Sequence, residues 1–157
     1  MHVANRNGIN AKIARIALAY GPGVRYDDTR VSSDFIRMGL ENKYIQPKGG
    51  LRNVRTYCYV SDTVEMLFNI LLNGKQTVYN VGGESSLTIA NLALLIGDKV
   101  GAKVELTDLV HTDSSPTFVG ISTDRYYDEF DALEWISIEE GIKKTIEWFQ
   151  YLKETGC

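Results

Sequence analysis

Strand and helix patterns alternate along most of this chain of 157 residues, and this alternation limits the folds that it can adopt. Residues 12–19 and 77–82 are mainly apolar segments with strand character, and an amphipathic helix pattern follows each of them. Such an order predicts an α/β fold in which the strands pair at least partly in parallel. The continuous apolar character of residues 12–19 further predicts a strand that is buried on both faces.

Turn and capping residues place the other elements. Helices are predicted to begin at Asp28 or Thr29, at Ser61 or Asp62, at Thr88, at Ser122 or Thr123, and at Ser137, where a capping-box pattern occurs. Strands are predicted at residues 44–46, 55–60, 103–107 and 118–121, with a turn at 47–50 and a polar loop at 111–117. No repeat, low-complexity linker or boundary interrupts this order, so we expect a single domain over residues 1–157.

The early position of the first strand is unusual for this fold class. A doubly buried strand needs neighbouring strands along its edges and helices over its faces. Residues 12–19 begin only about a dozen residues from the N-terminus, and the rest of the chain is too short to provide all of this cover. The pattern therefore favours a fragment, a truncated chain, or a strand that another chain completes.

Composition excludes several classes of protein. The net charge of −3 gives no reason to expect nucleic acid or an anionic membrane as a partner. No apolar run approaches the ~20 residues that a membrane-spanning helix needs, and the first residues lack the apolar core of a secretory signal. The two cysteines, Cys58 and Cys157, do not suggest a disulfide framework, so we expect a cytoplasmic protein.

An ordered set of short motifs points to one family. The set comprises Arg15, Tyr20-Gly21-Pro22, Arg30-Val31, Phe35-Ile36, Gly49-Gly50, Arg55, Tyr59-Val60-Ser61-Asp62, Tyr79-Asn80-Val81-Gly82 and Leu133-Glu134-Trp135. In this order they resemble the C-terminal, substrate-binding half of the extended short-chain dehydrogenase/reductases, the NAD-dependent sugar-nucleotide epimerases, dehydratases and decarboxylases. The segment Asp28-Thr29-Arg30-Val31 is most similar to UDP-glucuronate decarboxylase, and dTDP-glucose 4,6-dehydratase is a second match within this family.

The resemblance implies the late strands of a Rossmann-type sheet and a small mixed α/β substrate domain. Residues 12–19 and 77–82 would be strands of the parent NAD-domain sheet, and the N-terminal NAD-binding half would be absent. Residues 2–7 would then be the tail of a helix that carries the family's catalytic Tyr-x-x-x-Lys pair.

The resemblance also implies binding residues. Arg30 and Arg55 match the positions that contact the diphosphate and nucleotide, and the planar guanidinium suits phosphate oxygens. An alternative for Arg55 is a strand-end arginine that pairs with Asp62 or with solvent. Phe35, Gln46 and Pro47 fall where the family lines the nucleoside pocket, although Phe35 is equally compatible with the core.

Two positions are implied on the cofactor side, Leu18 and Tyr20, and the sequence departs from the family pattern near them. Leu18 occupies a position where the family usually has asparagine, so the resemblance implies that a polar contact near the nicotinamide or sugar would be missing or replaced. The family's Gly-x-Gly turn is Gly49-Gly50-Leu51 here, and the 111–122 segment lacks the arginine that the pattern calls for. These departures leave the sugar undetermined.

The catalytic motifs of the family are not found in the 157 residues. No Gly-x-x-Gly-x-x-Gly turn for a dinucleotide pyrophosphate occurs. Tyr44 and Lys48 have the spacing of a catalytic pair, but Pro47 between them is incompatible with the helix that would place both on one face. His2 and His111 have no partners at metal-ligand spacing, so we predict no catalytic residue and no metal.

The sequence leaves several functions open. In the first hypothesis, the chain is the nucleoside-diphosphate-sugar binding portion of an NAD-dependent enzyme that forms a homodimer. Alone, the chain would be inactive and would not bind NAD tightly. The second is a free-standing module that binds a UDP- or dTDP-sugar, and the third is a degenerate interaction domain without a ligand. The sequence does not distinguish epimerase, dehydratase and decarboxylase.

Overall fold

A computed structural model describes residues 6–107 and 116–156 and confirms the α/β class. The helices are α1 (Val31–Asn42), α2 (Val60–Asn73), α3 (Ile89–Val100), α4 (Asp124–Tyr127) and α5 (Ile138–Thr155). The strands are β1 (Ile13–Ile16), β2 (Leu18–Tyr20), β3 (Tyr44–Ile45), β4 (Val54–Tyr59), β5 (Val78–Val81), β6 (Ser85–Thr88), β7 (Lys103–Val104) and β8 (Phe118–Val119). Most of the predicted loop at 111–117, and the predicted helix tail before Arg6, lie outside the described residues.

The strands form three small sheets. β1 pairs with β5 in parallel, and β3 pairs with β7 in parallel. The central strand β4 pairs in parallel with β2 and β8, and in antiparallel with β6. The sheet around β4 therefore supplies the frame on which the other elements pack.

The predicted strand at residues 12–19 is extended throughout but changes its partner. Residues up to Ala17 pair with β5, and the amide of Ala17 donates to the carbonyl of Val81 at 2.8 Å. From Leu18 onward the same segment pairs with β4. One continuous segment thus belongs to two sheets.

The prediction that this segment is buried on both faces is wrong for the described chain. Ile13 and Ile16 are 38% and 50% exposed, and because they lie three positions apart on a strand, they face opposite sides of the sheet. Within residues 6–107 and 116–156, β5 is the one strand that pairs with β1. The segment has the apolar composition of a buried strand without the cover that would bury it.

Three local predictions need correction. β6 was not predicted, because its sequence Ser-Ser-Leu-Thr carries a weak strand signal and is recruited by pairing with β4. α1 begins at Val31, since the Asp28 carboxylate accepts from the side chain of Ser33 instead of capping the helix. α2 begins at Val60, and Asp62 in its first turn accepts from the amide of Ile136, 3.1 Å away.

Other caps agree with the sequence. The Thr88 hydroxyl accepts from the amide of Asn91 at 3.0 Å and begins α3. The Ser137 hydroxyl accepts from the amide of Glu140 at 3.2 Å and begins α5. None of the helices within the described ranges is long and apolar enough to cross a membrane.

Buried side chains form two clusters. The larger lies between the β4 sheet and helices α1, α3 and α5, and its members include Phe35, Ile36, Tyr57, Tyr59, Leu92, Ile96, Ile142 and Phe149. The smaller cluster joins α2, β5 and α4, and consists of Met66, Ile70, Tyr79, Val81 and Tyr126. The first cluster supports the floor of the cleft described below.

The outer side of α2 is apolar and exposed. Val64, Phe68, Leu71 and Leu72 have exposures of 42%, 57%, 64% and 72%, and their spacing places them along one stripe of the helix. We call these four residues the α2 stripe. An exposed apolar surface of this kind marks an interaction site in a folded protein.

Close backbone packing occurs beneath β4, where Gly83 passes under Tyr57. A Cβ atom at Gly83 would overlap the Tyr57 carbonyl oxygen and the Cys58 Cα, which are backbone atoms and cannot rotate away. We expect Gly83→Ala to lower the free energy of unfolding by about 1–3 kcal/mol, measured by urea denaturation.

The control is Gly101, which ends α3 with a φ of 63° and has open space around it. Asparagine tolerates this conformation, so Gly101→Asn is expected to change the free energy of unfolding by less than about 0.5 kcal/mol. Equal effects of the two substitutions would contradict the steric argument for Gly83.

Candidate functional site

A cleft of about 340 Å³ opens between strands β2 and β4, the beginning of α1 and the turn before β4. Its lining is Leu18, Ala19, Tyr20, Thr29, Arg30, Val31, Ser32, Gly49, Gly50, Asn53, Arg55, Tyr57 and Ile89. A second cleft, also of about 340 Å³, shares Thr29, Val31, Gly49 and Ile89 with the first. The two clefts are therefore neighbours along one groove.

The structure brings the residues predicted from the sequence into this groove. Leu18, Tyr20, Arg30 and Arg55 line the first cleft. Phe35, Gln46 and Pro47 line the second cleft. Their roles in binding stay predictions, whereas their proximity is a property of the fold.

Arg30 stands at the mouth of the first cleft with a side chain that is 49% exposed. Its Nη1 donates to the Ala19 carbonyl at 3.0 Å, and its Nε donates to the Asp28 carboxylate at 2.9 Å. Partial burial pushes the pKa of Asp28 upward, but hydrogen bonds from Ser33 and Arg30 outweigh it and leave that pKa below its usual value. The described bonds fix the guanidinium and leave Nη2 for a ligand.

Arg55 is held by backbone carbonyls. Its Nη1 donates to Val54 at 2.8 Å and to Pro116 at 2.9 Å. The alternative pairing with Asp62 does not occur, because the Asp62 carboxylate accepts from the Ser61 hydroxyl and from a backbone amide. The described bonds of Arg55 leave Nε and Nη2, the edge of the guanidinium that suits a phosphate.

The beginning of α1 adds favourable charge to the same cleft. Thr29, Val31 and Ser32 line the cleft, and Arg30 at the N-cap provides no side-chain hydrogen bond to the first turn. Amide groups at a helix N-terminus attract anions, both by hydrogen bonding and through the helix dipole. Two arginines and one helix terminus therefore converge on one space, an arrangement that suits an anionic ligand.

The second cleft has a different character. Phe35 is 5% exposed and Pro47 is fully buried, so both side chains border the cleft from the protein interior and present little surface to it. Gln46 Nε2 lies 3.5 Å from the Glu105 carboxylate, a long hydrogen bond. Hydrogen bonds from Tyr44 and Thr107 lower the pKa of Glu105. An apolar boundary and the Gln46 amide therefore distinguish the second cleft from the arginine-lined first cleft.

The residues predicted on the cofactor side occupy different surroundings. Leu18 is 38% exposed at the edge of the cleft. Tyr20 is buried, its ring packs edge-on against Tyr57 and Tyr59, and its hydroxyl lies against Gly141 of α5. Burial raises the pKa of Tyr20, and the nearby Asp62 carboxylate adds to this rise.

These surroundings do not fit a dinucleotide site made by this chain alone. The Tyr20 hydroxyl turns toward α5, so within the described ranges Leu18 is the one predicted cofactor residue with substantial exposed surface. In a Rossmann-type dinucleotide site the pyrophosphate lies against a glycine-rich turn at a helix N-terminus, and residues 1–157 do not contain that glycine spacing. No reaction step through NAD follows from these residues.

Sequence reasoning missed several residues of the first cleft, among them Ser32, Asn53, Tyr57 and Ile89. A signal for Tyr57 was present, because alternation along a strand places it on the same face of β4 as Arg55. Asn53 and Ile89 carried no such signal, since the antiparallel pairing of β6 with β4 brings the beginning of α3 to the cleft. Among the described residues, no three acidic, histidine or cysteine side chains form a metal-binding group.

Comparisons with known proteins identify a family. A model of the NAD dependent epimerase/dehydratase family matches residues 1–82. UDP-glucuronic acid decarboxylase 6 of Arabidopsis thaliana is 32% identical over 111 residues, which cover 71% of this chain and 32% of that protein. The chain thus spans about a third of the length of this curated relative.

Solved structures show the same fold. dTDP-glucose 4,6-dehydratase of Bacillus anthracis, in complex with NAD, superposes with a TM-score of 0.81 at 21% identity, over 98% of this chain and 48% of that one. UDP-glucuronic acid 4-epimerase of Bacillus cereus, in complex with UDP-glucuronic acid and NAD, gives a TM-score of 0.80 at 20% identity, over 96% and 49%. At these identities the likeness establishes the fold alone.

Proposed function

The chain belongs to the NAD dependent epimerase/dehydratase family, and from this premise we propose that its groove binds a nucleoside-diphosphate sugar. The first cleft takes the diphosphate and the sugar, and the second takes the base. The observation that carries this proposal is the convergence of Arg30, Arg55 and the beginning of α1 on one cleft, beside an apolar cleft lined by Phe35 and Pro47.

The charges of the groove match this ligand class. A diphosphate carries at least two negative charges, and fixed guanidinium groups with unused donors are suited to its oxygens. Backbone carbonyls hold both arginines in place, so less side-chain freedom is lost on binding. A UDP-sugar is the first choice, because the decarboxylase relative is named for UDP-glucuronic acid, and a dTDP-sugar is the second.

We also propose that the chain is the substrate-binding portion of a larger NAD-dependent enzyme, in which a dinucleotide-binding half covers β1 and the α2 stripe. The support is the exposed apolar surface of Ile13, Ile16 and the α2 stripe, together with the 48% of the dehydratase structure that the chain spans. The parallel pairing of β1 with β5 is the pairing expected for strands of that parent sheet. The same proposal includes an epimerase, dehydratase or decarboxylase reaction, a homodimeric parent enzyme and a cytoplasmic location.

The proposal predicts binding without catalysis by the chain alone. Calorimetric titration with UDP and with UDP-glucuronate is expected to give saturable binding with a Kd of about 0.1–1 mM, and a parallel titration with dTDP tests the base. The absence of saturation with all three ligands at about 10 mM would refute the nucleotide-sugar site.

Turnover separates the alternatives. Conversion of UDP-glucuronate or UDP-glucose by the isolated chain would contradict the assignment of catalysis to a missing half. Micromolar binding by a stable monomer without turnover would favour a free-standing binding module, the second candidate function.

A further inference from the structure

The first cleft contains a polar group that the proposed contacts do not use, the hydroxyl of Tyr57. The side chain is 4% exposed, its Oη atom is enclosed, and it makes no hydrogen bond with any residue of the described ranges. Two other buried tyrosines are bonded: the Tyr79 hydroxyl donates to the Glu129 carboxylate at 2.8 Å, and the Tyr126 hydroxyl accepts from the Asn69 amide at 2.7 Å. The missing partner is therefore a local property of the Tyr57 site.

An enclosed hydroxyl without a partner is unfavourable, because it has lost its bonds to water and gained nothing in return. Such groups are uncommon in folded proteins, and each one calls for an explanation. The hydroxyl of Tyr127 is also enclosed, but it belongs to the smaller cluster, where burial raises the pKa of Tyr127 and a hydrogen bond with the Trp135 side chain acts to lower it. Tyr57, in contrast, lines the cleft that binds the proposed ligand.

The position of Tyr57 along β4 indicates which part of the ligand it meets. Arg55 and Tyr57 lie on the same face of the strand, about 6.8 Å apart along its axis. If Arg55 holds a phosphate, Tyr57 lies deeper in the cleft by about the breadth of one hexose ring, toward Tyr20. The sugar, joined directly to the diphosphate, is the part of the ligand that reaches this depth.

We infer that the Tyr57 hydroxyl forms a hydrogen bond with an oxygen of the sugar half of the ligand, and this inference rests on the proposed function. Tyr57 is then a residue that determines affinity for the sugar and has little effect on the nucleoside diphosphate. Because Oη is enclosed, ligand entry must displace a neighbouring side chain. Leu18, which pairs with Tyr57 in the β2–β4 register and is partly exposed, is the one best placed to move.

The protonation state of Tyr57 agrees with a donor. Burial raises the pKa of Tyr57 to about 12, although the neighbouring Arg55 guanidinium acts in the opposite direction. The hydroxyl therefore keeps its proton at neutral pH. It is able to donate to a hydroxyl or carboxylate oxygen of a hexose or hexuronate.

Tyr57→Phe tests the inference, because it removes the hydroxyl and keeps the ring. In calorimetric titrations of the whole chain, we expect the affinity for UDP-glucuronate to fall about 3- to 10-fold and the affinity for UDP to change less than about 2-fold. Without ligand, the thermal unfolding midpoint is expected to stay the same or to rise by up to about 4 °C, since an unbonded buried hydroxyl is removed.

Tyr79→Phe is the matched control, because the Tyr79 hydroxyl donates to Glu129 and accepts from the amide of Gln76. This variant is expected to lower the unfolding midpoint and to leave the affinity for UDP-glucuronate unchanged. A fall in the midpoint of Tyr57→Phe like that of Tyr79→Phe would overturn the inference by showing a structural partner.

The ligand titrations separate the two levels of the proposal. Suppose that the wild-type chain binds UDP and UDP-glucuronate. If Tyr57→Phe leaves both affinities unchanged, or weakens both equally, the role of Tyr57 is overturned and the nucleotide-sugar site is retained. Failure of the wild-type chain to bind either ligand overturns the proposed function, and the inference falls with it.

Discussion

The double substitution Arg30→Gln and Arg55→Gln is expected to weaken the binding of UDP by about 100-fold or more. Each glutamine keeps much of the side-chain length but removes the charge and the donors that the described bonds leave, Nη2 of Arg30 and the Nε and Nη2 pair of Arg55. A hydrogen bond to a charged group contributes about 1.5–3 kcal/mol, and two such contacts account for the loss. Calorimetry measures the Kd, and circular dichroism verifies that the variant is folded.

Arg25→Gln is the control for this experiment. Arg25 is 83% exposed, pairs with Asp27 and does not line the first cleft. Its substitution is expected to change the affinity for UDP by less than about 2-fold, since exposed ion pairs contribute little. Wild-type affinity in the double variant would show that the diphosphate does not lie between Arg30 and Arg55.

The second large effect concerns the α2 stripe. The test uses a fusion in which the N-terminal half of a family member precedes residue 1. In this fusion, the double substitution Phe68→Glu and Leu72→Glu is expected to reduce the free energy of unfolding by about 3–6 kcal/mol. The reason is that each residue loses the burial that the added half provides. In the isolated chain the same pair is expected to change this free energy by less than about 0.5 kcal/mol, since both residues are 57% or more exposed.

Urea denaturation of the four proteins provides the comparison, and Leu94→Glu provides the control. Leu94 is 47% exposed but lies on α3, away from the stripe, so its substitution is expected to have a small effect in the chain and in the fusion. The same response of the stripe variant in both contexts would contradict the assignment of this surface to the dinucleotide-binding half.

The sequence predicted the α/β class from local signals, and the resemblance to a family predicted the residues that share the groove. The periodicity of α1, the turn at Gly49-Gly50 and the arginine that precedes the aromatic residues of β4 are readable from consecutive residues. The parallel pairing of β2 with β4 brings these segments together, and the alternation of strands and helices had predicted at least partly parallel pairing.

The sequence did not predict features that depend on distant partners. β6 is a strand because β4 lies beside it, and its own residues are too polar and too few to indicate one. The apolar composition of residues 12–19 indicated burial on both faces, but whether Ile13 and Ile16 are covered depends on the neighbours that are present. The unpartnered hydroxyl of Tyr57 is likewise a property of its surroundings and cannot be read from a single residue type.

The segment from Ile13 to Tyr20 links assembly to recognition. It passes from one sheet to the other without a turn, and the carbonyl of Ala19 within it accepts the hydrogen bond that positions Arg30. A protein surface that fixes β1 therefore also fixes the backbone that holds the Arg30 guanidinium, for which we propose a role in phosphate binding. By thermodynamic reciprocity, a ligand on Arg30 and a cover on β1 must strengthen each other's binding to the same extent if they order this one segment.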